Sequence, residues 1–189
     1  KAKDPKPGAK TPEVLLRQAL GTVYPDRGIP IALNLNYVDA PPEKRMLLSA
    51  SFKIAAESLS FSPEDGKQKA FVQILGSLFN DQGQSGARFS ERLTMTATSE
   101  SLAKSSDAAV SYVFPVFVGP GLYQVRVAAR DEKSGRTGSA QGWVEIPDLS
   151  KDKLTLSSVI IGRHAPAPAA NTQGNGQPVS DQVDLSIDR

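Results

Sequence analysis

The chain has 189 residues, enough for one ordinary domain with additional segments, and its formal net charge of +2 is spread along the sequence. No basic run is interleaved with aromatic residues, so a nucleic-acid partner is not expected. The sequence contains no cysteine, which excludes disulfides, thiolate metal sites and cysteine nucleophiles. No apolar stretch approaches the roughly 20 residues that cross a bilayer, so membrane insertion is not expected either.

The N-terminal segments predict a linker followed by a short helix. Residues 1–10 carry Lys, Pro, Gly and Ala with almost no apolar bulk, which is typical of a solvated linker. Thr11 then has the character of an N-cap, with Pro12 at the first helical position and Glu13 in the first turn. The apolar residues that follow predict a helix within 11–24. Because so short a helix is marginal alone, we expect it to dock on the sandwich or on a neighbour.

Alternating apolar and polar residues predict β-strands throughout residues 25–162. The predicted strands are 29–38, 46–54, a short one at 59–61, 68–79, 87–97, 110–118, 120–130, 138–146 and 154–161. The nearly continuous apolar run at 68–79 indicates a central strand, with Gly76 as a candidate bulge. Pro115 indicates that its strand lies at an edge of a sheet or that the proline is near the strand's end. The pattern predicts an all-β sandwich of immunoglobulin-like or fibronectin type III-like type, with one N-terminal helix and a disordered tail.

The clearest hairpin lies between residues 120 and 146. Its first strand opens with Gly121-Leu122-Tyr123, which resembles the tyrosine corner of immunoglobulin-like sandwiches. A turn centred on Ser134-Gly135 would place Tyr123 opposite Ile146. In the same register Arg126 lies opposite Trp143, on the polar face of the hairpin.

The C-terminal region changes composition. Residues 163–180 are rich in Ala, Pro, Asn, Gln and Gly, and they predict a disordered linker. In residues 181–189, Val183, Leu185 and Ile187 alternate with polar residues, which suggests the start of a following domain.

Two blocks of sequence carry a resemblance to a known family. They run from Thr11-Pro-Glu-Val-Leu-Leu to Leu35-Asn-Tyr-Val-Asp39, and from Gly121-Leu-Tyr-Gln-Val to Ile146-Pro-Asp-Leu149. They resemble the region that follows the von Willebrand factor type A domain in large exported bacterial proteins of undetermined function. The resemblance spans most of residues 11–161 and implies an extracellular or periplasmic location. It transfers no functional residue, because the metal-binding loop of that family lies in the A domain.

The residues that could support catalysis or bind metal are sparse. His164 is the single histidine and lies at the start of the predicted disordered tail, so no histidine-based triad or zinc site is expected. The acidic pairs Glu64-Asp65 and Asp131-Glu132, and the more widely spaced Asp148 and Asp152, lack the regular spacing of a calcium loop. No enzymatic activity, cofactor or metal is therefore predicted. Glu91 stands on the apolar side of its strand, which indicates either a bulge that exposes it or a buried functional acid.

Trp143 and Arg126 are the candidate surface residues. The first reading is structural, with the Arg126 guanidinium stacked on the Trp143 indole across the hairpin. The corresponding function is a structural or protein-interaction module, with neighbouring domains of the same chain or other proteins as partners. The alternative is a carbohydrate-binding module in which Trp143 and either Tyr37 or Tyr112 stack on sugar rings. A hydrolase is a remote third reading, because no nucleophile, base and orienting group occur together.

Overall fold

A computed structural model describes residues 11–40, 45–64, 66–100, 108–150 and 156–159. The described residues form one α-helix, eight strands and a short 3₁₀-helix at Ala56–Ser58. The α-helix and the strands are α1 (Pro12–Gly21), β1 (Ala32–Ala40), β2 (Arg45–Ala55), β3 (Ser62–Glu64), β4 (Lys67–Asn80), β5 (Ser85–Ala97), β6 (Ala109–Val118), β7 (Gly121–Asp131) and β8 (Thr137–Ile146). None of the helices in the described ranges is long and apolar enough to cross a membrane.

The strands form two antiparallel sheets. The small sheet has the order β1-β2-β6, and the large sheet has the order β5-β4-β7-β8, with β3 paired to the first residues of β4. Apolar side chains from both sheets form one shared core. The predicted all-β sandwich is thus confirmed. The central position of β4 and the edge position of the strand with Pro115 are confirmed as well.

The core follows the alternation of each strand. Ile54 of β2, Ile74 of β4 and Val127 of β7 are fully buried in this core, the first from the small sheet and the other two from the large one. Gly76 keeps the regular register that sets it opposite Phe89, and the ladder shifts only between Ser77 and Phe79. A Cβ on Gly76 would lie 2.1 Å from the Phe89 ring. The Phe89 ring therefore packs where a side chain at Gly76 would lie. The irregularity that was predicted at Gly76 lies just after it, between Ser77 and Phe79.

The tyrosine corner is present at the start of β7. The Tyr123 hydroxyl donates a hydrogen bond to the Gly119 carbonyl at 3.2 Å, across the turn that enters the strand. The half-buried Tyr123 ring thus has a hydrogen-bond partner for its hydroxyl. The same bond stabilises the turn by which the chain passes from the small sheet to the large one.

Helix α1 packs on the outer face of the large sheet. Thr11 caps it as predicted, its hydroxyl oxygen accepting from the Val14 backbone N–H. Leu16 and Ala19 are buried against Ala128 of β7. This contact confirms that the helix docks on the sandwich, although the helix ends at Gly21.

Several predicted segments differ or fall outside the described residues. The predicted strand 154–161 is described only at 156–159, where the backbone is irregular, yet Ser158 bonds to the free edge of β1. The short strand predicted at 59–61 is displaced, because the observed strand β3 spans Ser62–Glu64. The predicted linkers 1–10 and 163–180, His164 and residues 181–189 lie outside the described residues.

Candidate binding surface

The β7–β8 hairpin differs from its predicted register by two residues. Trp143 lies opposite Gln124, and Arg126 lies opposite Gln141, so the predicted Arg126–Trp143 pair is wrong. The reason is the turn, which spans Glu132 to Gly135 and is closed by the Asp131 N–H donating to the Arg136 carbonyl. The loop therefore has four residues rather than two. A shift of two keeps every side chain on its predicted face.

Arg126 stacks on a different ring. Its guanidinium carbon lies 5.1 Å from the centre of the Phe79 ring, a diagonal neighbour on β4. Its Nε donates to the Gln124 side-chain oxygen at 2.8 Å. The Arg126 side chain is thus directed toward β4 and away from Trp143, which leaves the indole 57% exposed.

Two aromatic side chains flank Gln124 in one row across the large sheet. Phe79 of β4 pairs with Gln124, and Gln124 pairs with Trp143. All three residues lie on the outer face, so two strand spacings, about 10 Å, separate the backbones of the aromatic pair. Tyr37 and Tyr112, the other predicted stacking residues, instead pack against the core side of the small sheet.

A polar network connects this row to the loop after α1. The Gln124 side-chain amide approaches the Gln141 side-chain oxygen at 3.5 Å, and the Gln141 amide donates to the Val23 carbonyl at 3.1 Å. Val23 and Tyr24 are 76% and 84% exposed. The loop therefore holds two large apolar side chains in solvent beside the aromatic row.

These residues form a single surface, which we call the Trp143 face. Leu122 shares the outward parity of Gln124 on β7 and is also exposed. The members of the Trp143 face are Val23, Tyr24, Phe79, Leu122, Arg126, Gln141 and Trp143, and the buried side chain of Gln124 lies between Phe79 and Trp143. Four of them are large exposed apolar residues, a composition typical of contact surfaces.

The relief of this surface is low. A small depression lies beside the end of α1, lined in part by Leu20, Pro25, Arg126 and Gln141. It is too small to enclose a small molecule. The shape suits a partner that lies across the surface.

A charged cluster occupies the other end of the same sheet face. Arg92 of β5 forms a two-point ion pair with Glu132, with nitrogen–oxygen distances of 2.7 and 2.9 Å. The Arg92 guanidinium also lies 4.0 Å from the centre of the Phe71 ring. The hydrogen bond from Arg92 lowers the pKa of Glu132 and raises that of Arg92 itself. Both groups are charged at neutral pH, and the cluster is a solvated structural pair.

Among the described residues, Asp131 is the buried acid. It is fully buried, although the sequence suggested a soluble turn residue. Burial raises its pKa, but hydrogen bonds from Ser134, Ser60 and Lys133 outweigh that effect and hold the pKa below its usual value. The Ser134 hydroxyl donates at 2.5 Å and the Ser60 N–H at 3.2 Å. Asp131 is therefore an ionised anchor for the turn.

Glu91 is exposed, and the ladder around it runs without a bulge. It pairs with Ile74 in continuous register. Its side chain is on the core side of an edge strand, where the sandwich is open, and it faces Tyr112. Burial raises the pKa of the Tyr112 hydroxyl, and the Glu91 charge adds to that effect. The bulge prediction is wrong, and the inward-pointing charge is instead a feature that protects edge strands.

No group of three or more potential metal-ligating side chains occurs in the described ranges. The sequence pointed to Trp143 and Arg126 but missed Phe79, Gln124 and Gln141. The alternation of apolar and polar residues in the hairpin does indicate that Gln124 and Gln141 point to the outer face. No local sequence pattern indicates that β4 pairs with β7, which is the pairing that places Phe79 beside them.

No protein-family profile and no curated protein sequence matches the chain. Solved structures that resemble it include the Bacteroides uniformis β-glucuronidase, at 13% identity and a TM-score of 0.38 over 64% of this chain and 13% of the enzyme. Structural-genomics target SoR45 matches at 14% identity and a TM-score of 0.36, over 69% of this chain and 95% of the target. A Bordetella pertussis protein assigned as ApaA matches at 8% identity and a TM-score of 0.38, over 63% and 94%. Such weak likenesses carry no argument about function.

Proposed function

We propose that the chain is a non-catalytic interaction module of a larger exported bacterial protein and that it binds a protein partner through the Trp143 face. The observation that carries the proposal is the 57% exposed indole of Trp143, on the same hairpin face as exposed Leu122. The loop bonded to Gln141 on that face carries exposed Val23 and Tyr24. Exposed aromatic residues in an apolar setting are the usual anchors of protein interfaces. The partners we favour are neighbouring domains of the same protein.

The proposed sandwich type is immunoglobulin-like or fibronectin type III-like. The Tyr123–Gly119 hydrogen bond and the sheet orders β1-β2-β6 and β5-β4-β7-β8 support it. The exported location, extracellular or periplasmic, rests on the sequence resemblance to the region after von Willebrand factor type A domains. The non-catalytic role rests on the absence of cysteine and on a single histidine, His164.

A carbohydrate-binding module is the second candidate. The row Phe79–Gln124–Trp143 supports it, because two aromatic rings flank an amide side chain on one sheet face. Amide and guanidinium groups of Gln141 and Arg126 border the same row. Against it, Arg126 covers Phe79, so of the two rings in this row Trp143 is the one open for stacking.

The test is a titration that uses the single tryptophan as its reporter. Domains that adjoin this one in the full-length protein are purified separately and added to the chain, while soluble polysaccharides are added in parallel. The proposal predicts that an adjoining domain shifts the Trp143 emission to the blue. In calorimetry, Trp143→Ala should weaken that binding by about 30-fold, the effect of a hot-spot residue.

Leu149→Ala is the matched control, because Leu149 is also a large exposed apolar residue but lies outside the Trp143 face. It should bind like the native chain. Equal affinities for the native chain and Trp143→Ala would contradict the proposal. An emission shift with a polysaccharide and none with any adjoining domain would favour the carbohydrate-binding module.

A further inference from the structure

The outer face of the large sheet carries a pair of arginines next to the Trp143 face. Arg88 of β5 and Arg126 of β7 both lie opposite Ser77 of the intervening strand β4. Two strand spacings, about 10 Å, therefore separate their backbones. Arg92, also on the outer face of β5, is separated from this pair by the cross-strand row of Ala128, on which α1 packs.

Arg92 shows which ligand completes an arginine on this sheet. Its guanidinium lies over the Phe71 ring of β4 and forms the two-point ion pair with Glu132. A guanidinium that stacks through its flat face keeps its N–H donors in the plane, where they match the two oxygens of a carboxylate. The chain thus contains one complete group of phenyl ring, guanidinium and carboxylate.

Arg126 repeats the first half of that arrangement. Its guanidinium carbon lies 5.1 Å from the centre of the Phe79 ring, which also belongs to β4. The ion pairs among the described residues are Arg17–Glu13, Lys69–Glu64 and Arg92–Glu132, so neither Arg126 nor Arg88 pairs with a described carboxylate. Two cations that flank one strand repel each other, and an anion between them would relieve that repulsion.

Both arginines of the pair lean toward Phe79. The Arg88 Nε donates to the Ser85 hydroxyl at 2.8 Å, and the Arg126 Nε donates to the Gln124 side-chain oxygen at 2.8 Å. Ser85 and Gln124 are the two residues that pair with Phe79, one on β5 and the other on β7. The Nε bonds therefore hold the two guanidiniums on either side of Phe79, and their terminal nitrogens remain as donors for a ligand.

A buried hydroxyl supports the Arg88 side of the pair. Ser77 is 4% exposed although it lies on the outer face between Arg88 and Arg126. Its hydroxyl oxygen lies 2.9 Å from that of Ser85, which accepts from Arg88. Arg88 itself is exposed, so its position is set by this network while its guanidinium meets solvent.

The neighbourhood of the pair indicates the kind of anion. Phe79 and Arg126 are members of the Trp143 face, where we place the protein partner. A carboxylate already completes the corresponding arginine beside Phe71. An aspartate or glutamate side chain is the same group and can be carried by a protein that also covers Trp143 with an apolar residue.

We propose that Arg88 and Arg126 together bind an acidic side chain of the partner that docks on the Trp143 face, its carboxylate accepting a hydrogen bond from each guanidinium. The inference rests on the proposed function and specifies the chemistry of the partner. That partner presents an acidic residue beside the apolar residue that contacts Trp143.

The first test needs no partner protein. N-acetyl-aspartic acid amide, a model of an aspartate side chain, is titrated into the full chain while NMR follows the Nε–H signals of Arg88 and Arg126. Both signals should shift together and saturate in the millimolar range, as expected for two charge-assisted hydrogen bonds. N-acetyl-asparagine amide has the same shape without the charge and should give no saturable shift.

The second test uses the adjoining domain that shifts the Trp143 emission. Arg88→Gln should weaken its binding by about tenfold, because a charge-assisted hydrogen bond is lost. Arg88→Lys keeps the charge without the planar fork and should recover part of the affinity. Lys53→Gln is the matched control, since it removes a charge from an exposed position on the other sheet, and it should bind within about twofold of the native chain. Denaturation midpoints show whether each variant remains folded.

The outcomes separate this inference from the proposed function. No saturation with the aspartic acid compound, or equal shifts with the asparagine compound, would overturn the inference and leave the Trp143 titration unaffected. Saturation when no adjoining domain binds would support the carboxylate site and contradict the proposed function alone. Inorganic phosphate that binds about tenfold more tightly than the aspartic acid compound would overturn the inference in favour of a phosphate ligand. Equal affinity of the domain for Arg88→Gln and the native chain would also overturn it.

Discussion

The two ends of the β7–β8 hairpin are built on opposite principles. At the turn, Asp131 is fully buried and accepts hydrogen bonds from Ser60 and Ser134, while Arg136 donates to the Ser58 carbonyl at 2.6 Å. At the other end Trp143 is 57% exposed. Polar groups are thus buried with partners where the hairpin is held to the sandwich, and a large apolar group is left in solvent where we propose that it binds.

The difference separates stability from recognition between the two ends of one hairpin. A carboxylate that is buried and hydrogen-bonded is costly to remove, because its partners lose their bonds as well. An exposed indole contributes little to folding and much to an interface. Substitutions at the turn should therefore change the free energy of unfolding, and substitutions at the open end should change binding.

The largest effect is expected for Asp131→Ala. The change leaves the Ser60 N–H and the Ser134 hydroxyl without their acceptor inside the fold. It should lower the free energy of unfolding by about 3 kcal/mol, measured by chemical denaturation. Asp81→Ala, in an exposed turn, is the matched control and should stay within about 0.5 kcal/mol. A loss of similar size in both variants would show that Asp131 is not a special anchor.

A smaller loss of stability is expected in acid. The folded-state pKa of Asp131 lies below its unfolded value, so its contribution is present above the unfolded pKa, near 4, and is lost as the pH falls through the folded pKa. Denaturation midpoints of the native chain should therefore fall below about pH 4 more steeply than those of Asp131→Asn. The pKa of Glu132 is also lowered, but by an ion pair with a half-exposed arginine. Its share should shrink in high salt, whereas that of Asp131 should persist.

The tyrosine corner should contribute less than the Asp131 anchor. Tyr123→Phe removes the hydroxyl that donates to the Gly119 carbonyl and keeps the ring. The expected loss is about 0.5–1.5 kcal/mol in the free energy of unfolding, the usual net value of one hydrogen bond. Tyr24→Phe serves as the control, because Tyr24 is 84% exposed. Equal values for the two variants would mean that the corner contributes nothing.

The sequence predicted the fold better than the surface, and the hairpin shows why. Alternation assigns each side chain to a face, so the core positions of Val125 and Val127 and the outward position of Trp143 were predicted correctly. Alternation has period two and cannot detect a shift of two residues. The four-residue turn, in which Gly135 has φ of +73°, was mistaken for a two-residue turn.

Contacts across strands that are distant in sequence were beyond local patterns. Phe79 joins the Trp143 face because β4 pairs with β7, and the sequence offers no local mark of that pairing. The burial of Asp131 depends likewise on the approach of Ser60, far from it in the chain.

The smallest expected effect is the coupling energy of Arg126 with its aromatic neighbours. It distinguishes stacking of the guanidinium on Phe79 from stacking on Trp143. The Arg126 guanidinium lies over Phe79, so a double-mutant cycle of Arg126→Ala with Trp143→Ala should be additive within about 0.5 kcal/mol. The cycle of Arg126→Ala with Phe79→Leu should instead show a coupling of about 0.5–1 kcal/mol, typical of an exposed cation–π contact. Both cycles are measured by chemical denaturation of the full chain. Coupling to Trp143 rather than to Phe79 would place the guanidinium on the indole, and the open end of the hairpin would then be a satisfied structural pair instead of a binding surface.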